Sequence, residues 1–544
     1  MVGIAVSDEQ QVGRARESAH ERVIVAPEHL RSAIEDAARD EGWMAAADVF
    51  QRHWDLYATR LPEAMLEAFK GLPGEVFVER PSMLIAADYL QQVAAGQDVG
   101  RFHDGARDLY GGTREPRELL DSLIALTGRA AGARMEGGLD TARLRSVEAR
   151  RMLERADESS RGRARESLPH LMIQWGRCRE VAAADGAIAE YEQSHHLGSI
   201  TGQPEIARRA AGSLAWLLAE RGRLSDARSW LEKAHATERD SPRYDAVLHL
   251  TEALIAADEL DDDAASQALA RIDEGAIGEY WAAHLWVRAM IARGPLAPLI
   301  VRHEMAGETE RRSRPLFDQG ANRRYLVRAA SALEIELDEP LSPTTPNPED
   351  PVPADVVRQA RDLYRAGSHA AARAHARTAL AASPPVRDEA AAQLLLAACE
   401  FALGGADAAG PTFCRAHALI THERLFHTYR ALTTSDLKSL ADLSGLDVPD
   451  SLTQPRNSID TGTGTGTITT GAGPHSASQR HANLDALTRR ERELLVLIAD
   501  GQSFADIADT LFISRNTVKT LTRSLYRKLD VHSRAEAAAL ARQL

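Results

Sequence analysis

Residues Ser514–Leu529 read SRNTVKTLTRSLYRKL. The stretch holds Arg515, Lys519, Arg523, Arg527 and Lys528 and no carboxylate, in a chain of 544 residues whose formal net charge is −14. Val518, Leu521, Leu525 and Leu529 recur at helical spacing, so the segment is expected to form a helix with one apolar stripe. Arg515, Lys519 and Arg523 follow at i, i+4 and i+8 beside Asn516 and Thr520, making a basic ridge on another side. Such a helix buries its stripe in a small core and offers its ridge to an anionic partner.

The flanking residues carry helix-start signals. Thr488 with Glu491, Ser503 with Asp506 and Ser533 with Glu536 match the capping pattern [ST]-x-x-[DE], and Ser514 caps a further helix without an acidic partner. They predict four short helices, about 489–499, 504–511, 515–529 and 534–543, with Gly501 closing the first. Phe512, Ile513 and Ser514 are a turn between the second and third. Leu494, Leu495 and Ile498 line the first helix, and Ile507, Ala508 and Leu511 the second. This is a helix-turn-helix with one helix before it and one after. Its ridge suits the major groove, where Arg and Lys read guanine, Asn reads adenine and Thr can meet the thymine methyl.

Residues 487–541, LTRRERELLVLIADGQSFADIADTLFISRNTVKTLTRSLYRKLDVHSRAEAAALA, resemble the LuxR-type helix-turn-helix, whose pattern runs LTxRExxVLxLIAxGxSxxEIAxxLxISxxTVKxHxxxIxxKLxVxSRxEA. The resemblance implies double-stranded DNA as partner. It places Thr517, Lys519, Thr520 and Arg523 where family members touch DNA, and the full expected DNA-facing set is Ser514, Arg515, Asn516, Thr517, Lys519, Thr520, Arg523 and Arg527. It also places the helix from Arg534 where the family dimerises, with Ala535, Ala538 and Ala539 as a small-residue face and a dimer expected on DNA. RNA polymerase is the further partner that a regulator of this kind implies. Two positions depart from the pattern. Leu521 replaces the histidine of TVKxH and extends the apolar stripe, while Asp530 replaces the glycine common after KL and puts a negative charge at a helix C-terminus.

The basic helix sits on an acidic body. Residues 481–544 hold ten Lys and Arg against eight Asp and Glu, a balance of +2. Local contacts can then provide DNA affinity while the remaining surface discourages indiscriminate binding.

Aromatic residues are 5% of the chain and β-branched runs are scarce, so the expected fold class is all-α: tetratricopeptide-like helical repeats followed by a C-terminal four-helix LuxR-type domain. Small residues recur twelve positions apart, followed by an apolar residue four later and a small one three after that. The units are Ala215, Ala227, Leu231 and Ala234; Ala253, Ala265 and Leu269; Ala360, Ala372, Ala376 and Ala379; and Ala397, Ala409, Phe413 and Ala416. Small side chains belong where helix backbones cross closely. The expected layout is a helical N-terminal region at 1–165, repeats at 166–339, a Pro-rich spacer at 340–353, further repeats at 354–448, a flexible Gly/Thr/Ser-rich linker at 449–483 and the DNA-binding domain at 484–544. Residues 71–81, GLPGEVFVERP, are expected to be a loop or break.

Helical repeats before a LuxR-type module resemble the maltose-regulator-like branch of that family. Its ATPase signature GxxxxGK[ST] does not occur, and no nucleotide or other cofactor is expected. Neither catalysis nor a metal is expected: Cys178, Cys399 and Cys414 form no CxxC pair, and adjacent His195 and His196 point about 100° apart on a helix. Trp175, Trp216 and Trp230 are expected to pack within the repeats. The start, MVGIAVSDEQQ, shows no basic region followed by an apolar core, and the apolar patch at 390–399 is about half a membrane span. The expectation is a cytoplasmic transcriptional regulator, by family habit an activator, whose repeats meet a protein or small-molecule effector. Two rival readings are an interaction scaffold with a vestigial DNA-binding module and a divergent nucleotide-dependent switch.

Overall fold

The computed structural model describes residues 27–40, five single positions between 42 and 49, 119–236, 245–273, 277–294, 296–337, 353–453, 487–511 and 513–542. All regular structure among the described residues is helical, as composition predicts. The helices are α1 Pro27–Asp40, α2 Leu119–Met135, α3 Leu139–Arg155, α4 Glu158–Ala164, α5 Leu168–Val181, α6 Ala187–Ile200, α7 Pro204–Glu220 and α8 Leu224–His235. There follow α9 Asp245–Asp258, α10 Asp262–Ala270, α11 Trp281–Ile291, α12 Ala297–Arg311, α13 Gly320–Leu337, α14 Pro353–Arg365, α15 His369–Ala381, α16 Val386–Ala402 and α17 Ala406–Glu423. The series ends with α18 Thr434–Ser444, α19 Asp450–Thr453, α20 Arg489–Ala499, α21 Phe504–Thr510, α22 Arg515–Leu529 and α23 Arg534–Arg542. Residues 71–81, the expected loop, lie outside the described residues, as does most of the expected N-terminal region.

Five helix pairs share one turn. α2–α3, α7–α8, α9–α10, α14–α15 and α16–α17 are each joined by three residues whose middle member has positive φ: Gly137, Gly222, Leu260, Gly367 and Gly404. In each, the backbone N–H after that residue reaches back to a carbonyl five positions earlier, as from Arg223 to Leu218 at 2.9 Å and from Ser368 to Leu363 at 2.8 Å. This is a Schellman closure, which satisfies the last carbonyls of one helix and turns the chain into the next. It also explains the twelve-residue interval, because a fixed turn holds the small residues in constant register. Ala215, Ala227, Ala253, Ala265, Ala360, Ala372, Ala397 and Ala409 all have 0% exposure. A fifth set, Ala130, Ala142, Ser146 and Ala149, is equally buried on α2 and α3.

The chain divides into two compact units, residues 1–217 with 229–245, and residues 218–228 with 246–544. In the first, Leu123, Leu126, Leu153, Leu171 and Met172 surround the fully buried Trp175, whose indole N–H donates to Thr127 Oγ1 at 2.7 Å. α5 and α6 approach so closely that a Cβ on Gly176 would lie 2.6 Å from the Tyr191 ring. Trp216 is also fully buried, whereas Trp230 is half-buried with the Lys233 ammonium 3.6 Å from its ring centroid.

The second unit runs across the Pro-rich segment, so 340–353 is no boundary between compact bodies. The cause is a buried network of charges. Glu220 accepts hydrogen bonds from Arg324 at 2.9 Å and Arg328 at 2.6 Å; Arg328 also pairs with Asp388 at 3.0 Å. Arg387 grips Asp258 through two bonds of 2.6 Å, and the Arg328 and Arg387 guanidinium groups lie 5.0 Å and 5.2 Å from the Trp286 ring. Burial opposes ionisation of Glu220, but the two arginines prevail and hold its carboxyl at about 2. Arg323 with Asp355 and Arg358 with Glu334 span the same segment. Within the expected linker, residues 450–453 are helical as α19 and Leu452 is only 8% exposed; the rest, from 454, lies outside the described residues.

Candidate nucleic-acid interface

α20 to α23 form a four-helix domain built from its caps inward. Thr488 and Glu491 make a reciprocal capping box, Thr488 N–H donating to the Glu491 carboxylate at 2.8 Å and Glu491 N–H to Thr488 Oγ1 at 3.3 Å. Ser503 and Asp506 do the same for α21, and Ser533 accepts from Glu536 N–H at 3.1 Å before α23. Ser514 Oγ accepts from Thr517 N–H at 3.1 Å, fixing the start of α22 at the residue its sequence marks. Such caps each contribute about 1 kcal/mol and set where helices begin. At the other end of α22, Asp530 adopts the left-handed conformation at φ +53°, the geometry its place in the sequence requires.

The core contains Leu494, Leu495, Ile498, Ile507, Ala508, Leu511, Val518, Leu525 and Leu529. Leu521 is half-buried at the core's edge. The buried position beside it is Thr522, whose hydroxyl donates to Val518 O at 2.8 Å; apolar periodicity passes over it because the polar atom is satisfied within the helix.

The opposite side of α22 is open. Arg515, Asn516, Lys519, Thr520, Arg523 and Arg527 are exposed, and Lys519, Arg523 and Arg527 make no ion pair among the described residues. Cations at every fourth position from 515 to 527 spread positive charge over roughly 18 Å of helix. Ser514 and Thr517 are exposed as well, with their hydroxyls 2.9 Å apart. Lys528 is not part of this strip, because its ammonium lies 2.6 Å from a Glu491 carboxylate oxygen. Burial works against the Glu491 charge, yet hydrogen bonds from Lys528, Ser524 and Thr488 prevail and hold its carboxyl at about 2.

Residues 485–541 match the family model described as bacterial regulatory proteins, luxR family. They form a LuxR-family helix-turn-helix domain. The same part of the chain is 48% identical over 59 residues to the uncharacterized response regulatory protein YgeK of Escherichia coli, covering 11% of this chain and 40% of that protein. It is 52% identical over 60 residues to the probable transcriptional regulatory protein SgaR of Hyphomicrobium methylovorum, covering 11% and 28%. It is 46% identical over 57 residues to the transcriptional regulatory protein LiaR of Bacillus subtilis, covering 10% and 27%. The chain thus spans well under half the length of these relatives. No solved structure matches.

The last helix of the LuxR-family domain corrects one expectation. Ala535 and Ala539 are exposed, but Ala538 is 7% exposed and packs with Ala537 and Ala541 in the core. Three and four residues separate members of that inner face, so Ala538 cannot share an outer surface with Ala535. Elsewhere, His195 Nδ1 lies 3.0 Å from Ala207 O and its ring meets Trp230 edge-on, while His196 is exposed. Among the described residues, no cluster of His, Cys, Asp and Glu is arranged for a metal, and no helix is long and apolar enough to cross a membrane.

Proposed function

We propose that this chain is a sequence-selective DNA-binding transcriptional regulator, acting as an activator and as a dimer on DNA. The observation that carries the reading is the exposed basic strip of α22 on a LuxR-family domain, within a chain of net charge −14. Arg515, Asn516, Lys519, Thr520 and Arg523 meet base edges and phosphates, and Ser514, Thr517 and Arg527 meet the backbone at either end. The helical hairpins receive a protein or small-molecule effector, and bound DNA brings the chain to RNA polymerase. Its role is regulatory rather than catalytic.

Selection of genomic fragments by the full-length protein tests this reading. The expected result is an enriched consensus, bound more weakly by Lys519→Ala and Arg523→Ala by about 1–3 kcal/mol wherever the side chain reads a base. A side chain touching only phosphate should weaken every sequence alike and lower the salt slope by about one. A wild-type protein that prefers no fragment over random duplex sinks the proposal.

A further inference from the structure

We infer that α12 is a docking site for the LuxR-family domain, holding it with the α22 strip facing outward, so that this contact orients the DNA-binding helix. Within the second unit, α12 packs between α11 and α13 on one side and against α20 on the other. Leu299 and Val301 are buried in α12. A different line, Leu296, Ile300 and His303 at i, i+4 and i+7, extends towards the domain. Leu296 is 2% exposed and belongs to the apolar cluster of Leu494, Leu497 and Ile498, with Ile300 packed on its edge. On α20, Glu493, Leu497 and Asp500 recur at the same i, i+4 and i+7 spacing. Polar contacts complete the match: His303 Nε2 lies at hydrogen-bonding distance, 3.1 Å, from an Asp500 carboxylate oxygen, and Arg302 lies 3.7 Å from Glu493. Glu493 is shared with Arg489 and Arg490 of its own helix, and the Asp500 oxygen also accepts from Gln502 Nε2 at 3.4 Å.

Two apolar side chains and two partly exposed polar contacts make a weak contact between separate molecules. Within one chain, a tether comparable in length to 454–486 supplies an effective concentration on the order of millimolar, enough to keep such a contact closed. Neither the α22 strip nor Ala535 and Ala539 is covered in this arrangement. The contact therefore presents the DNA-binding surface and does not mask it. A helix-on-helix contact imposes an orientation.

The test uses the full-length chain with His532→Cys labelled by a fluorophore and Cys414→Ser removing the exposed native thiol; Cys178 and Cys399 are buried. Time-resolved anisotropy should show the probe tumbling with the larger body that carries α12, more slowly than a free domain of residues 484–544 would. Ile300→Asp should shorten its rotational time several-fold. Arg302→Glu with His303→Asp should do the same by charge repulsion without touching the apolar packing, and adding Asp500→Lys should restore part of the slow motion. A wild-type probe that already tumbles as a small free domain overturns the inference, as does slow motion that survives both Ile300→Asp and the Arg302→Glu/His303→Asp pair. The readout is motion, so its failure is separable from a failure to bind DNA.

Discussion

The Lys528 ammonium lies 2.6 Å from the carboxylate of Glu491, so one acidic side chain joins the capping box of α20 to the last turn of α22. Glu491 is only 3% exposed. Removing it takes the partner from a half-buried ammonium and the acceptor from Thr488 N–H in a single step.

Glu491→Ala is therefore expected to destabilise the LuxR-family domain by about 1–3 kcal/mol, read as faster amide exchange in 489–499. Its pH dependence follows from the sign of the shift. The folded carboxyl sits at about 2 against an ordinary 4.5, so its contribution is complete above pH 4.5 and is lost as the pH falls towards 2. The Glu491→Ala protein should lack that part of the acid transition, and an unchanged acid profile would refute the assignment.

The two sides of α22 should fail differently. Leu525, at 0% exposure, should cost about 2–5 kcal/mol when cut to Ala, and half-buried Leu521 should cost less than about 2 kcal/mol. Lys519→Ala and Arg523→Ala should leave the melting temperature nearly unchanged while weakening DNA binding. If Leu521→Ala melts normally yet binds poorly, the helix has been divided into faces incorrectly.

The corrected inner face of α23 gives a third comparison. Ala538→Glu should unfold the domain by burying a charge, whereas Ala535→Glu or Ala539→Glu should fold and instead reduce cooperativity on DNA. Melting curves and binding isotherms on the same three proteins decide it; normal stability for Ala538→Glu would contradict its place in the core.

Gly222 and Gly367 occupy equivalent turns but not equivalent surroundings. Both have positive φ, at +85° and +74°, so alanine should cost each about 1–2 kcal/mol. A Cβ at Gly222 would also lie 2.7 Å from the Arg387 backbone nitrogen, while Gly367 faces open space. Chemical denaturation should show Gly222→Ala to be the more damaging of the two.

Much of this was legible in the sequence, for reasons that differ by region. In the LuxR-family domain, caps and stripe lie within a few residues of each other, and the bounds of α20 and α22 follow directly from Thr488 and Ser514. Thr522 and Ala538 were not legible as core residues, since a hydroxyl bonded to its own helix and an alanine among alanines give periodicity nothing to grip. The hairpins at α7–α8, α9–α10, α14–α15 and α16–α17 show through their twelve-residue interval, and the one at α2–α3 escapes notice because polar Ser146 stands where the pattern asks for an apolar residue. Long-range pairing was hidden altogether: nothing local ties Glu220 to Arg328 or Asp258 to Arg387. Proline content at 340–353 therefore gives no hint that the helices before and after it share buried charges.

Those shared charges make covalent continuity between α13 and α14 dispensable. Arg328–Asp388, Arg387–Asp258 and Arg323–Asp355 already bind the preceding helices to the following ones. A chain nicked by an engineered protease site among residues 341–350 should elute as one particle in native buffer and separate into two peptides only in denaturant. The same reasoning makes the protein a candidate for assembly from two separately synthesised halves, with the arginine pairs serving as the recognition code between them.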